Sequence, residues 1–310
     1  MLIEAEHLRP RILMSPFGNV AFSDWPDGPM VPADAAATIR LLLDASGHPR
    51  TDEAVLTGSG REALGLALAA VGLRPEDEVY IHTTTGSPYI SRCVTDTIGH
   101  HAARTMSLRT KAVVVIHEFG FPARLPEHII ASGLPVINDC AYALGVRAAA
   151  ALPGLASRCY TIFSFSKAFP IPFGGALVGP DVGQSPTTLS CERAEILSWA
   201  LGELYLPQLD RCRNRRHEVW TWYEQEFGRM GLRPKLIADV SEAVPHAFMV
   251  DLGDDRTLLP LRERMNRQGI ESSGFFGNGA YFLPCHQSMG RHTVRYVVDS
   301  FLQAMKTIET

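Results

Sequence analysis

Tyr160-Thr-Ile-Phe-Ser-Phe-Ser-Lys167-Ala-Phe-Pro-Ile-Pro-Phe-Gly-Gly175 is the stretch that decides the fold and the chemistry of this chain. Its first half is an apolar run typical of a buried β-strand, and its second half is a loop rich in proline and glycine. Lys167 stands where the strand ends. Burial disfavours the charged form of an amine, so this lysine could act as a nucleophile toward a carbonyl. It could equally be a lysine that only covers a strand end with its aliphatic stem.

Strands and helices alternate on both sides of this stretch. Apolar and β-branched runs predict strands at 78–82, 112–116, 134–137, 159–165 and 174–178. Apolar residues at helical spacing predict helices at 34–45, 58–72, 89–98 and 125–131. Strands separated by helices favour an α/β fold with a mostly parallel sheet and helices on both faces.

The C-terminal third has a different pattern. A long helical pattern at 192–227 is interrupted by Pro207, and a strand at 247–252 and helices at 258–268 and 293–308 follow. We therefore predict an N-terminal arm at 1–30, a large domain at 31–205 and a small C-terminal domain at 206–310.

Composition narrows the possible functions. The 310 residues are 46% hydrophobic and 20% charged, with a net charge of -4, so no basic surface for nucleic acid is indicated. No apolar run is long enough to span a bilayer, and we expect no membrane association. The six cysteines lack the short paired spacings of zinc ribbons or secreted disulfide frameworks, which favours a cytoplasmic location. The histidines also lack ligand spacing, so we expect no metal site.

A glycine-rich turn precedes the second predicted helix. The run Gly58-Ser59-Gly60-Arg61 places backbone N–H groups at the positive end of a helix dipole, and its glycines let a phosphate approach the main chain. Alone, such a turn could be only a helix cap.

Asp139 follows the strand predicted at 134–137. The carboxyl ends of strands in α/β sheets line ligand crevices, and a carboxylate there could keep a ring nitrogen protonated. Asp139 could instead cap the following turn. Tyr142, three residues later, could hydrogen-bond an oxygen on the same ring or simply pack.

The order of these features is more informative than any one of them. A phosphate-binding turn, a strand-end aspartate and then the strand-end Lys167, flanked by Ser164 and Ser166, are the parts of a pyridoxal phosphate site. The aspartate would keep the pyridine nitrogen protonated, and the lysine would form the internal aldimine. Together they favour a cofactor site over the separate structural roles.

Four motifs in order carry a family resemblance. They are Ser59-Gly-Arg-Glu-Ala-Leu-Gly-Leu-Ala-Leu, Val114-Val-Ile-His-Glu-Phe-Gly120, Pro135-Val-Ile-Asn-Asp139-Cys-Ala-Tyr-Ala-Leu-Gly145, and Ser164-Phe-Ser-Lys167 with Gly174-Gly-Ala-Leu-Val. They resemble the DegT/StrS-type sugar aminotransferases over roughly residues 35–230. The resemblance implies the fold-type I architecture of pyridoxal phosphate enzymes. That architecture is a mostly parallel seven-stranded sheet with helices on both faces plus a small C-terminal α+β domain.

The resemblance also implies roles for individual residues. Lys167 matches the aldimine lysine and Asp139 the partner of the pyridine nitrogen. Tyr142 falls near the ring hydroxyl, and Ser164 resembles a serine that contacts the cofactor phosphate. The phosphate-binding turn corresponds to Ser59, Gly60 and Arg61.

Two positions depart from the family pattern. Thr85-Gly86 stands where the family has a residue that stacks on the pyridine ring, and Tyr89 could take over that role. The family loop that reaches into the neighbouring subunit's site appears here as Cys191-Glu-Arg193-Ala, where Arg193 would contact the phosphate across a homodimer.

The resulting hypothesis is a pyridoxal phosphate aminotransferase that takes a small biosynthetic keto, aldehyde or sugar-like substrate and an amino donor. One alternative keeps the cofactor but catalyses elimination, racemisation, decarboxylation or cyclisation of an amino acid derivative. Another is a catalytically silent relative that binds a ligand and regulates; the presence of both Asp139 and Lys167 argues against it.

Overall fold

The computed structural model describes residues 35–48, 53–104, 107, 109–146, 155–169, 171–232, 234–235 and 240–308. The arm predicted at 1–30 lies outside these residues. The described residues form two β-sheets with helices packed against them.

The larger sheet contains seven strands within the described residues. They are β1 (Glu53–Thr57), β2 (Glu78–Thr83), β3 (Ala103–Arg104), β4 (Thr110–Ile116), β5 (Val136–Asp139), β6 (Cys159–Ser164) and β7 (Gly175–Gly179). Their order across the sheet is β1-β7-β6-β5-β4-β2-β3. Strand β7 runs antiparallel to both neighbours, and the other pairs are parallel. The mostly parallel seven-stranded sheet expected from the sequence is confirmed.

Helices account for most of the remaining described structure. They are α1 (Ala35–Ser46), α2 (Gly60–Ala70), α3 (Arg92–Gly99), α4 (Glu127–Ala131), α5 (Phe165–Ala168), α6 (Cys191–Trp199), α7 (Leu209–Gly228), α8 (Leu258–Arg267) and α9 (Arg291–Ile308). None of the helices in the described part of the chain is long and apolar enough to cross a membrane.

Both faces of the larger sheet are buried. Side chains alternate along β4, so that Val114 packs in a cluster with Leu64 of α2, whereas Val113 packs in another cluster with Ile129 of α4. Because successive side chains of a strand point to opposite faces, this alternation places helices on both sides of the sheet, as expected.

Two helix boundaries differ from the sequence prediction. The helix expected at 89–98 begins only at Arg92, because Ser91, its N-cap residue, has a non-helical backbone (φ -52°, ψ 131°). The long helical pattern at 192–227 is divided: α6 passes into a π-helical stretch, Ala200–Tyr205, and a 3-10 turn containing Pro207 before α7 begins.

The smaller sheet lies in the C-terminal part of the chain. It consists of β8 (Ala247–Asp251), β9 (Ser273–Phe275) and β10 (Ala280–Pro284), in the antiparallel order β8-β10-β9. Its core includes Trp220, Tyr223 and Phe227 of α7. The domain boundary near residue 205 stays a prediction.

Helix α7 contains a buried arginine. Arg216 is only 1% exposed. Its Nη1 donates to the carbonyl oxygens of Pro245 (3.3 Å) and Cys285 (2.8 Å). Arg216 therefore ties the helix to the strand ends of the smaller sheet.

The two sheets meet at a glycine. Val244 N donates to the carbonyl oxygen of Gly120 at 3.0 Å, and Gly120 has a φ of 87°. A β-carbon at position 120 would lie 1.9 Å from the Val244 carbonyl oxygen. Only glycine permits both this conformation and this approach, which brings the smaller sheet against the edge where β4 and β5 end.

Candidate active site

Lys167 lies on a single helical turn between β6 and β7. The turn, α5, begins directly after Ser164, the last residue of β6. Phe165 N donates to the carbonyl oxygen of Gly174 at 3.0 Å, which fixes the start of the turn against the residue before β7. Because the turn is so short, β6 and β7 determine the position of Lys167.

The surroundings of Lys167 favour its neutral form. Burial lowers the pKa of the amine, whereas the negative charges of Cys93, Asp139 and Glu271 act in the opposite direction. The Nζ atom lies 5.1 Å from the centre of the Tyr142 ring. Because burial is the largest of these effects, the amine loses its proton more readily than an exposed lysine does.

Asp139 is the last residue of β5 and is 5% exposed. Its Oδ1 atom accepts a hydrogen bond from Ala141 N at 2.9 Å. Burial raises the pKa of the carboxyl to about 6, although the Ala141 hydrogen bond and the charge of Lys167 lower it. A cationic group placed beside Asp139 would hold it ionised at neutral pH.

Tyr142 lies between the two sheets. Its ring stacks on Phe119, with centroids 6.0 Å apart, and meets the His246 ring edge-on at 5.2 Å. Burial raises the pKa of the phenol, so the hydroxyl stays protonated and can donate a hydrogen bond.

His117 supports this edge of the sheet without taking part in acid–base chemistry. Its Nδ1 accepts from Ala123 N at 2.8 Å, so the proton lies on Nε2, which donates to Asn138 Oδ1 at 2.7 Å. Burial lowers the pKa of His117 to about 4. The imidazole is therefore neutral at pH 7 and links β4 to β5.

Ser59, in the turn before α2, is the N-cap residue of that helix. Ser59 Oγ accepts from Glu62 N at 3.2 Å. The Glu62 carboxylate accepts in turn from Gly58 N at 2.7 Å and from Thr188 N at 2.6 Å. These bonds hold the positive end of the α2 dipole toward the cavity.

Two glycines allow this turn to approach β6 and β7. A β-carbon at Gly60 would lie 2.7 Å from Ser164 Cβ, and a β-carbon at Gly175 would lie 2.6 Å from the Ser59 carbonyl carbon. Larger side chains would push the turn away from Ser164.

A cavity of about 750 Å³ collects most of the residues singled out from the sequence. Its volume lies within the range of about 300–1,000 Å³ that is common for ligand pockets. The predicted site residues in its lining are Ser59, Gly60, Arg61, Tyr89, Asp139, Tyr142, Ser164 and Lys167.

Arg193 is the predicted site residue that does not line this cavity. It lies in the first turn of α6, with its guanidinium 5.5 Å from the centre of the Phe173 ring. Within a single chain, Arg193 is therefore not part of the site.

Tyr89 lies on the loop between β2 and α3. Its ring is 40% exposed and contacts the rings of Phe275 (5.6 Å) and Phe276 (5.7 Å). The same loop is tied to the smaller sheet because Asn278 Nδ2 donates to Ser87 Oγ at 2.6 Å. Tyr89 is thus held at the border between the two sheets.

Glu118 fixes the neighbouring part of this loop. Its Oε2 atom accepts from Thr85 N at 2.8 Å and from Thr85 Oγ1 at 2.7 Å. Burial raises the pKa of the Glu118 carboxyl. The threonine at the position of the family's ring-stacking residue is therefore engaged by a buried carboxyl group.

Sequence reasoning missed several cavity residues. Glu118 and Phe119 lie within a motif that was noted only for its resemblance, and Phe119 has a φ of 53° that the sequence does not announce. The other residues that were missed include Cys93, Phe275 and Phe282. Among the described residues, no group of three or more His, Cys, Asp or Glu side chains could hold a metal ion.

The sheet order, with the lysine turn and the strand-end aspartate at one edge of the sheet, is that of the fold-type I architecture. Solved structures with this fold cover nearly the whole chain. The aminotransferase TlmJ from Streptoalloteichus hindustanus superposes with a TM-score of 0.68 at 17% identity, covering 100% of this chain and 98% of TlmJ. Helicobacter pylori PseC, an aminotransferase of pseudoaminic acid biosynthesis, superposes with a TM-score of 0.67 at 15% identity, covering 91% and 92%.

A curated relative shares a shorter stretch. It is UDP-N-acetyl-3-dehydro-alpha-D-glucosamine 3-aminotransferase from Acidithiobacillus ferrooxidans, 33% identical over 34% of this chain and 34% of the relative. The match thus spans about a third of that relative's length. No model of a known protein family matches the sequence. The fold and the resemblance to sugar aminotransferases expected from the motifs are confirmed.

Proposed function

We propose that this chain is a pyridoxal phosphate-dependent aminotransferase that acts on a small keto, aldehyde or sugar-like substrate in a biosynthetic pathway. The observation that carries the proposal is the convergence of Lys167, Asp139 and the Ser59–Gly60 turn on one cavity. They reach it from three separate elements, as an amine, a carboxyl and a capped helix start.

The chemistry of these groups fits the cofactor. Lys167 is an amine whose pKa is lowered by burial, and Asp139 is a buried carboxyl whose ionised form a pyridinium nitrogen would stabilise. The N–H groups of the Ser59–Gly60 turn and the Ser164 hydroxyl suit a phosphate. When bound, pyridoxal phosphate supplies an aldehyde that condenses with amines and a ring that accepts electrons.

Lys167 has two roles in this proposal. Its neutral Nζ would hold pyridoxal phosphate as a nucleophile toward the aldehyde. Once an amino donor had taken its place, the free amine would serve as a base that accepts a proton and then as an acid that returns it. Burial supports both roles, because it keeps the pKa of the amine below that of an exposed lysine.

Asp139 and Tyr142 orient and bias the reaction. Ionised Asp139 would keep a ring nitrogen of the bound cofactor protonated, which favours electron withdrawal by the ring. Tyr142, whose ring centre lies 5.1 Å from Lys167 Nζ, would offer its hydroxyl as a hydrogen-bond donor to the cofactor. His117, neutral and bonded on both nitrogens, keeps the ends of β4 and β5 in place beneath them.

The substrate class rests on similarity. The curated relative acts on a nucleotide-linked amino sugar precursor, as its name states, and PseC functions in pseudoaminic acid biosynthesis. Both support a carbonyl on a sugar-like acceptor for this chain. The expected cytoplasmic location remains a prediction from cysteine usage.

A homodimer would complete the site. Arg193 does not line the cavity of its own chain, where its guanidinium lies over the Phe173 ring, and it would supply that guanidinium to the phosphate group in a partner's cavity. A guanidinium is well suited to bind phosphate at such a position.

The proposal is tested by the visible absorption spectrum of the protein and by substitution of Lys167. Adding pyridoxal phosphate should produce a visible absorption band that survives gel filtration, and Lys167→Ala should abolish both the band and turnover. Lys111→Ala, at an exposed position near the start of β4, is the matched control and should keep both. Unchanged absorption and activity in Lys167→Ala would contradict the proposal.

A single-donor experiment separates transamination from the alternatives. With a panel of amino acids and no acceptor, an aminotransferase accumulates the aminated cofactor and releases about one oxo acid per site. A racemase, lyase or decarboxylase returns to its starting spectrum. That second outcome would keep the cofactor and reject transamination.

A further inference from the structure

Cys93 and Arg61 form a hydrogen-bonded pair on the wall of the cavity that contains Lys167. Arg61 Nη2 donates to Cys93 Sγ at 2.9 Å, and both residues line the cavity. Arg61 is in the first turn of α2, at the candidate phosphate turn, and Cys93 is the second residue of α3 and is exposed. The thiol therefore engages the guanidinium that the turn would offer to a phosphate group.

The charges around Cys93 favour an ionised sulfur. The hydrogen bond from Arg61 lowers the pKa of the thiol, and the charge of Lys167 acts in the same direction. Asp96, one turn further along α3, is paired with Arg92 at 3.2 Å. The thiolate is the nucleophilic form of cysteine, and cationic neighbours at a helix start increase its population.

We propose that Cys93 is a modification site for soft electrophiles, that Arg61 sets its reactivity, and that a phosphate group bound at the Ser59–Arg61 turn suppresses it. The phosphate part of this inference rests on the proposed function. The part that concerns Arg61 rests only on the pair itself.

Competition for one guanidinium explains the suppression. A phosphate dianion accepted by Arg61 removes the hydrogen bond that stabilises the ionised sulfur and places a second negative charge beside it. In alkylation by iodoacetamide the sulfur attacks the methylene carbon, a C–S bond forms, the C–I bond breaks and iodide leaves. Loss of the ionised sulfur slows this step in proportion.

The same molecule contains a matched reference thiol. Cys191 is exposed, and it is the first residue of α6, whose N-cap is Ser190. Both cysteines therefore lie at helix starts behind a serine, but among the described residues only Cys93 has a hydrogen bond from an arginine. The change in the ratio of their alkylation rates on Arg61→Gln isolates the effect of Arg61, because the charge of Lys167 is common to both proteins.

The experiment is limited iodoacetamide labelling of the full chain near neutral pH, with each site quantified by peptide mass spectrometry. Cys93 should react about tenfold faster than Cys191. In Arg61→Gln, with the fold checked by circular dichroism, the two rates should converge. Inorganic phosphate should slow Cys93 severalfold and leave Cys191 unchanged, with sodium chloride of equal ionic strength as the control.

The outcomes are distinguishable. Equal rates in the wild type, or a fast Cys93 in Arg61→Gln, would overturn the role of Arg61. If inorganic phosphate left the alkylation rate of Cys93 unchanged, the proposed competition between phosphate and Cys93 for Arg61 would be overturned. If Arg61→Gln does not fold, the wild-type pH profile decides, because the Cys93 rate must persist to lower pH than the Cys191 rate. Protection by inorganic phosphate without a visible band on adding pyridoxal phosphate would reject the proposed function but keep this inference.

Discussion

Lys167 Nζ lies 5.1 Å from the centre of the Tyr142 ring, so the amine after β6 and the ring after β5 share one wall of the cavity. An aromatic face stabilises an ammonium group, whereas burial favours the neutral amine. The pKa of Lys167 is lowered, and burial is the largest cause. The charge of this lysine is therefore set by two opposing influences that substitution can separate.

Substitution of Tyr142 distinguishes its ring from its hydroxyl. Tyr142→Phe keeps the ring facing Lys167 but lacks the proposed hydrogen bond to the cofactor, so affinity for pyridoxal phosphate should fall about two- to tenfold. Tyr142→Leu removes the aromatic face as well and should move the pH optimum of binding downward. Absorption titrations at several pH values measure both effects. Unchanged affinity in the phenylalanine variant would exclude a bond from the hydroxyl.

Asp139 should make the stability of the cofactor-free protein depend on pH. Its folded-state pKa is raised from 3.8 to about 6, so between these values the folded chain holds a proton that the unfolded chain has released. Stability from this group is therefore lost as pH rises through that window, by about 3 kcal/mol in total. Asp139→Asn should remove the loss, which urea unfolding at pH 4, 5 and 6 measures.

The comparison between wild type and Asp139→Asn is necessary because His117 acts in the opposite direction. The folded-state pKa of His117 is lowered to about 4. Its contribution to the stability of the protein is therefore lost as the pH falls below the unfolded-state pKa of 6.5. This contribution is common to both proteins and cancels in the difference. Parallel pH profiles for the two proteins would contradict the assigned titration of Asp139.

Two glycines of α2 should respond oppositely to alanine. At Gly60 the added carbon would lie 2.7 Å from Ser164 Cβ, so Gly60→Ala should lower the unfolding free energy by about 1–3 kcal/mol and weaken phosphate binding. At Gly65 the nearest atom would be Thr97 Cγ2, at 4.0 Å. Gly65→Ala should therefore stabilise the helix by about 0.5–1 kcal/mol. Denaturant unfolding tests both, and a neutral Gly60→Ala would show that the turn can move.

Mixing two inactive variants tests whether Arg193 acts across a homodimer. If it does, a dimer of one Lys167→Ala chain and one Arg193→Ala chain has one intact site. An equal mixture should then recover about a quarter of wild-type activity after subunit exchange. If Arg193 serves its own chain, every site in the mixture carries a defect and no activity returns.

The chemical residues were readable from the sequence because each sits at a break in a regular pattern. Lys167 and Asp139 end apolar strands, and Gly60 opens a helix, so the rule that ligands bind at the carboxyl ends of strands brought them together. The mostly parallel sheet followed from alternation of the same elements. These inferences need only local order along the chain.

The residues that were missed depend on contacts between distant parts of the chain. Phe275 reaches the cavity only because Gly120 lets the smaller sheet approach, and Cys93 matters only because Arg61 lies across from it. Arg216 can be buried because its guanidinium donates to the carbonyl oxygens of Pro245 and Cys285, which lie next to the ends of β8 and β10. Composition and periodicity carry no record of such pairings.

The imidazole of His117 is hydrogen-bonded at both ring nitrogens, and this affects how pH can be used in experiments on this protein. Because its proton is fixed on Nε2 and it resists protonation down to a pH of about 4, the joint between β4 and β5 does not change its charge in the range where Asp139 titrates. The pH can therefore be varied across that interval to follow the ionisable groups of the site while His117 stays neutral.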